Sequence, residues 1–220
     1  RVTTDGSEML LAPMALLAPP ELTLEKTVEN DDGGDLTQAD FPSFVDGLAQ
    51  AWDVATSVTA DVEHTASETP QAGYAPSAWG TDCAADGTIT LAEDGAGTCT
   101  ITNDDIAPTL LLVKTVTTDD GGTAVPDDWT LSTLGEPSWR GRDLEYSGGS
   151  GTPQDVYANV EYVLSETSVA GYLPGPWECT GGGSLDGNLL TLGLDEDVTC
   201  TINSDDMAPT LTLVKTVVND

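Results

Sequence analysis

Every lysine in this 220-residue chain sits in one context: Leu22-Thr-Leu24-Glu-Lys26-Thr-Val28, Leu110-Leu-Leu112-Val-Lys114-Thr-Val116 and Leu211-Thr-Leu213-Val-Lys215-Thr-Val217. With 38 acidic residues and a formal net charge of -32, lysines kept only for solubility would be scattered over the surface. Three copies at one register instead mark an internal repeat, recurring roughly every 90 to 100 residues. Leu110, Leu112, Lys114 and Val116 share one parity, and residues of one parity share one face of a strand. The lysine therefore lies on the apolar face. A lone ammonium beneath a sheet costs several kcal/mol unless it finds a partner or loses its charge, so the interior must hold a group that answers it.

The repeat organises the chain as an N-terminal segment (1–19), a first β-sandwich repeat (20–106), a second (107–207), and a last stretch (208–220) that begins a third repeat or is donated as a strand. Apolar residues fall in short alternating runs bounded by Gly, Pro and Asp, which predicts strands with almost no helix. Six to eight strands per repeat without βαβ alternation predict small antiparallel sandwiches. Near-identical linkers, Asp104-Asp-Ile-Ala-Pro108-Thr and Asp205-Asp-Met-Ala-Pro209-Thr, are short and stiffened by proline, which predicts domains end to end. Each first strand runs into a turn signal, Asp31-Asp-Gly-Gly34 or Asp119-Asp-Gly-Gly122. Phe41 and Trp129, fifteen residues beyond each lysine, are candidate core aromatics of a second strand. A later stripe of Val62, His64, Ala66 and Glu68 is matched by Val160, Tyr162, Leu164 and Glu166, each leading to a Gly-Tyr pair.

Aromatic residues make up only 5% of the chain, so cores this thin need covalent staples. The four cysteines recur at matched places, and Cys83 with Cys99 and Cys179 with Cys200 are the natural disulfides, each contributing roughly 3 kcal/mol. Zinc is the rival reading, but the cysteine spacings and a single histidine do not suit it. Disulfides imply an oxidising, extracellular setting. Such acidity argues against nucleic acid and anionic membranes as partners, and no apolar run reaches the roughly 18 residues of a membrane helix. Residues Met9 to Pro19 are apolar but are interrupted by Pro13 and preceded by acids, unlike a signal peptide; a secretion signal is expected to lie outside this sequence.

Taken together, Tyr162-Val-Leu164-Ser-Glu166-Thr-Ser-Val-Ala170-Gly-Tyr172, Leu112-Val-Lys114-Thr-Val116 and Cys99-Thr-Ile-Thr-Asn103-Asp-Asp resemble the prealbumin-like, collagen-adhesin B-type repeats of bacterial surface proteins and pilins, over residues 20 to 220. The resemblance implies that a first-strand lysine, a glutamate and a last-strand asparagine form an intramolecular isopeptide bond, with ammonia leaving. The candidates are Lys26, Glu68 and Asn103 in the first repeat, and Lys114, Glu166 and Asn203 in the second. The second departs from the pattern: Ser204 stands where Asn103 does, and Asn203 points to the other face unless a bulge turns it. A buried Lys-Glu ion pair, or a lysine reaching out at the sheet edge, is the alternative in both.

His64 reads as a core or edge side chain, and no serine-hydrolase elbow, phosphate loop or metal-binding histidine pair occurs. The expected role is a non-catalytic, extracellular structural protein, a stalk or pilus-like filament subunit whose partners are copies of itself or adjacent repeats. Strand donation through 208–220, with Met9 to Leu17 as a counterpart, is one route to such contacts. The alternative is an adhesin module that recognises a host protein, a glycan or calcium, favoured by an exposed aromatic patch around Trp52 or Trp139. No cofactor is implied; the Asp104-Asp105 and Asp205-Asp206 pairs and the Asp-Asp-Gly-Gly turns leave calcium open at the domain junctions, with solvated turns as the simpler reading.

Overall fold

The computed structural model describes residues 17–136, 142–147, 149 and 151–218. Trp139 and residues 9–16 lie outside the described residues.

The first repeat forms β1 (Glu21–Glu29), β2 (Ser43–Val45), β3 (Leu48–Gln50), β4 (Thr56–Ser57), β5 (Glu63–Glu68), β6 (Tyr74–Pro76), β7 (Gly80–Thr81), β8 (Thr88–Thr90) and β9 (Ala96–Asp105). They make two sheets, β4-β1-β9-β6 with β7 also on β9, and β3-β2-β5-β8. The second repeat forms β10 (Thr109–Thr117), β11 (Thr130–Glu136), β12 (Glu145–Ser147), β13 (Gln154–Asp155), β14 (Glu161–Glu166), β15 (Tyr172–Thr180), β16 (Ser184–Asp186), β17 (Leu189–Thr191) and β18 (Asp197–Asp206). Its sheets are β13-β10-β18-β15 and β12-β11-β14-β17-β16. The expected all-β sandwiches are present. Most of their pairings are antiparallel, but β10 runs parallel to β18 along its whole length, from Thr109 opposite Asp197 to Thr117 opposite Asp205.

Parity explains which faces meet. Leu22 and Leu24 of β1 and Cys99 of β9 pack against Val45, Ala66 and Ile89 of the opposing sheet. In the second repeat Leu110, Leu112, Val198, Cys200 and Ile202 face Leu131, Tyr162, Leu164 and Leu190. Burying each such side chain contributes about 1.5–3 kcal/mol. Both expected disulfides, Cys83–Cys99 and Cys179–Cys200, are formed. Phe41 and Trp129 are buried as expected, but each precedes its strand rather than lying in it, so the ring closes over the sheet edge. Val62 leaves its expected inward stripe and is 47% exposed, because β5 begins one residue later.

Two compact units partition the chain. One holds the described part of Arg1–Thr27 together with Phe41–Thr69 and Ser77–Thr102; the other holds Val28–Asp40, Pro70–Pro76 and the described part of Asn103–Asp220. Residues 207–218 adopt no strand, and Leu211, Leu213, Val214 and Val217 are all exposed. Among the described residues no helix is long and apolar enough to cross a membrane.

Candidate functional site

β1 carries Lys26 inward, and its ammonium meets the Glu68 carboxylate of β5 in an ion pair. The Lys26 side chain has no exposure to solvent and that of Glu68 only 7%. The ammonium also lies 4.2 Å from the centroid of the Phe41 ring. Removal from water pushes the Lys26 amine below its usual range, against the opposing pull of Glu68. Trp52 closes this end: its indole donates to the Phe41 carbonyl at 2.7 Å, and its ring stacks near Trp79. Trp52 is thus half-buried over the lysine rather than presented to solvent.

Asn103 lies on β9, the strand beside β1. Alternation along β9 buries Cys99, Ile101, Asn103 and Asp105, and Asn103 is 0% exposed. Neither its carboxamide oxygen nor its nitrogen has a hydrogen-bond partner, and Oε1 of Glu68 also lacks one. Buried polar atoms are ordinarily paired, and each orphan costs about 1–3 kcal/mol.

In the second repeat the corresponding groups engage one another. The Lys114 ammonium donates to the Ser204 hydroxyl at 2.6 Å and ion-pairs with Oε2 of Glu166 at 2.6 Å. That contact lies off the hydrogen-bonding direction, so Oε2 has no directional donor. Ser204 in turn donates to Oε1 of Glu166 at 2.9 Å. The indole ring of Trp129 lies over the ammonium at 4.7 Å. Asn203 is not part of this group: no bulge turns it inward, and its carboxamide bonds Thr115 at 3.0 Å and Thr117 at 3.1 Å on the other face. As an isopeptide candidate Asn203 is therefore corrected, because Ser204 holds the inward position and cannot supply an acyl carbon.

A second constellation lay hidden in the linker motifs. Asp105 ends β9 with a buried carboxylate that accepts from the N–H groups of Asp31 (2.9 Å), Asp32 (3.0 Å) and Gly34 (2.6 Å). Asp206 does the same for Asp120 (3.1 Å) and Gly122 (2.5 Å). Burial pushes the Asp206 carboxyl up, but these donors outweigh it and hold the group below the usual carboxylate range. The tyrosine of each Gly-Tyr pair completes the clamp, Tyr74 accepting from Leu36 at 3.0 Å and Tyr172 from Ala124 at 2.9 Å. The inward parity of Asp105 facing an amide-rich Asp-Asp-Gly-Gly turn was the signal available in the sequence. Oxygens of Asp31, Asp104 and Asp105, and of Asp119, Asp205 and Asp206, lie within 4.8 Å of one another. These are the candidate calcium positions, and in each the buried member is already held by backbone donors. His64 is buried between Asp46 (2.6 Å) and the Thr59 carbonyl (2.9 Å), a core residue with satisfied nitrogens.

No curated protein matches the chain in sequence. Among solved structures it resembles the Bacillus anthracis TIE protein, at 14% identity and TM-score 0.45, covering 84% of this chain and 34% of that one. It therefore spans about a third of that protein's length. It also resembles the major pilin T-13 of Streptococcus pyogenes (11% identity, TM-score 0.40, 87% of this chain and 97% of that one). A C-terminal fragment of the pilus adhesin SpaC from Lactobacillus rhamnosus GG is similar at 13% identity and TM-score 0.40, with 87% and 99% covered. The profile of the prealbumin-like fold domain matches residues 18–101 and again 105–202. The chain belongs to this prealbumin-like domain family and carries the domain twice.

Proposed function

We propose that this protein is a non-catalytic, extracellular structural component, a stalk or filament subunit whose β-sandwich modules stand end to end and are locked internally by disulfides and by charged groups. The reactive groups support this reading by their placement: Lys26, Glu68, Lys114 and Glu166 are sealed inside the sandwiches, where they hold strands together and meet no substrate. Partners are then further modules of the same kind. Residues 210–218 match β10 at seven of nine positions and, within the stretch 208–220, would supply a first strand to a neighbouring sandwich.

The observation that carries the proposal is the unbonded Asn103 carboxamide buried on β9, the strand beside the one that carries Lys26. The amine of Lys26 attacks Cγ of Asn103, the Cγ–Nδ2 bond breaks, and the nitrogen leaves as ammonia with protons drawn from the amine. Glu68 relays those protons and polarises the carboxamide oxygen. The product amide links β1 to β9 covalently, the unbonded Asn103 nitrogen is gone, and the proton left over neutralises Glu68, so no ion pair stays buried. Intact mass after disulfide reduction tests it. The expected value falls short of the sequence mass by one ammonia, and Glu68→Gln restores the full mass. An unshifted mass overturns the crosslink and leaves a buried ion pair in its place.

A further inference from the structure

Both repeats build the same clamped turn, yet only the first has its outer face covered. The Ala158 N–H donates to the Asp32 carbonyl at 2.8 Å, and the Asn159 carboxamide donates to the Gly33 carbonyl at 3.0 Å. Arg142 pairs with the Asp32 carboxylate at 2.5 Å, its guanidinium braced 4.5 Å over the Tyr157 ring. Beside them the Asp195 N–H donates to the Ile106 carbonyl at 3.0 Å. All of these residues belong to one compact unit.

The glycines report the difference between the two turns. Gly33 and Gly121 share a left-handed backbone, φ 103° and 98°. A Cβ on Gly33 would collide with the Ala158 carbonyl, whereas one on Gly121 would meet nothing within 4 Å. A Cβ on Gly73 would press on Leu194 at 2.6 Å, and one on Gly171, its counterpart, would again meet nothing within 4 Å. The second turn thus keeps the shape of the first and has Asp120 where the first has Asp32, with the cover missing.

We propose that the face formed by Asp120, Gly121, Gly171 and Met207 is a socket for another module built like the second repeat, which fills it with its own Ala-Asn corner, arginine and Leu-Asp turn. This deepens the end-to-end reading above and rests on it. The chemistry selects the occupant. The first repeat offers the corner Ala60-Asp61, and Asp61 has the backbone of Asn159 (φ 56° against 59°). Its carboxylate cannot donate to a carbonyl, however, and would face Asp120 with like charge. Residues 17–103 contain no arginine. A second copy of this chain presenting its first repeat is therefore the wrong partner.

The test extends the chain, joining residues 1–208 to a second copy of residues 108–220 so that the native linker is kept, and reads amide hydrogen exchange. The added copy's Ala158 amide is expected to exchange within about threefold of the native Ala158 amide, and about tenfold or more faster once Arg142→Ala is made in the added copy. An extension by residues 19–107 instead should leave its Ala60 amide unprotected. Protected core amides of the added module verify folding in each case. An unprotected added Ala158 in a folded extension overturns the socket, and equal protection of Ala60 overturns its preference for the second kind of module. Neither result touches the ammonia-loss mass, so a failed socket is distinguishable from a failed structural reading.

Discussion

Replacing Lys114 with methionine removes the ammonium and keeps most of the side-chain stem. Glu166 then retains only the Ser204 hydroxyl, at 2.9 Å, in a site where its side chain is 9% exposed. Breaking one side of a buried ion pair costs about 3–5 kcal/mol, chiefly because the surviving charge is stranded. For a domain of this size, with a urea dependence of about 1–3 kcal/mol per molar, unfolding of the second repeat should move down by at least about 1 M. The indole resonance of Trp129, whose ring covers the ammonium, reports that repeat specifically; urea titration at neutral pH with the disulfides oxidised is the assay. Lys114→Met combined with Glu166→Leu and Ser204→Ala removes all three polar groups and should recover most of the loss, since well-packed apolar groups replace such triads at little cost. A single substitution that shifts the midpoint by less than about 0.3 M, or a triple as unstable as the single, would refute the claim that this charge is buried and matched.

Ser204→Asn should convert the second repeat into a crosslinking one, lowering the reduced mass by one further ammonia, and Glu166→Gln in that background should abolish the change. His64 is raised above its ordinary value by its hydrogen bond to Asp46 and by the Thr59 carbonyl. Its contribution is thus complete below the unfolded-state value and fades as pH climbs through the folded one. An imidazole NMR titration should place the midpoint above the model-peptide value of about 6.5, and Asp46→Asn should lower it; a midpoint unmoved by that substitution would remove the pairing. Cys200→Ser opens a disulfide of sequence separation 21 and should cost about 3 kcal/mol by the chain-entropy argument. Reductant should lower the unfolding midpoint of the parent by a similar amount and leave that of the second repeat in the variant where it is.

The lysine register, the cysteine pairs and the alternating runs were legible because each depends only on period and parity. Lys26, Lys114, Cys99 and Cys200 all lie on the predicted faces for that reason. What parity could not show was partnership across the sandwich. Ser204 was visible as the residue in place of Asn103, but its double role between Lys114 and Glu166 depends on where β14 comes to rest against β18. Asp105 and Asp206 were read as linker residues and candidate metal ligands because acids at a strand end are ordinarily solvated. Their burial follows from the turn folding its N–H groups back onto them, a tertiary event. The parallel pairing of β10 with β18 was also out of reach, since alternation is the same for parallel and antiparallel neighbours.

The few cations explain how such an acidic chain stays together. Among the described residues, Lys26 and Lys114 each lie inside a sandwich, joining its two sheets through a glutamate. Arg142 lies where the turn of the first repeat meets the corner of the second. Lys215 falls in the stretch that copies β10. Surface cations would gain little from exposed pairs screened by salt, whereas a cation withdrawn from water makes its partner hard to do without. Asn103 and Ser204 then decide what kind of tie each sandwich has. An asparagine there offers a carbon that the amine can attack, so the tie we propose for the first repeat is covalent and insensitive to salt or pH. A serine offers only a hydroxyl, so the second tie stays electrostatic and reversible. On that assignment, pulling the intact chain should extend the second repeat fully except for the residues enclosed by the Cys179–Cys200 disulfide, at a force that falls when Lys114 is neutralised. The first repeat, with β1 welded to β9, should lengthen by no more than its termini allow at any force that leaves covalent bonds intact.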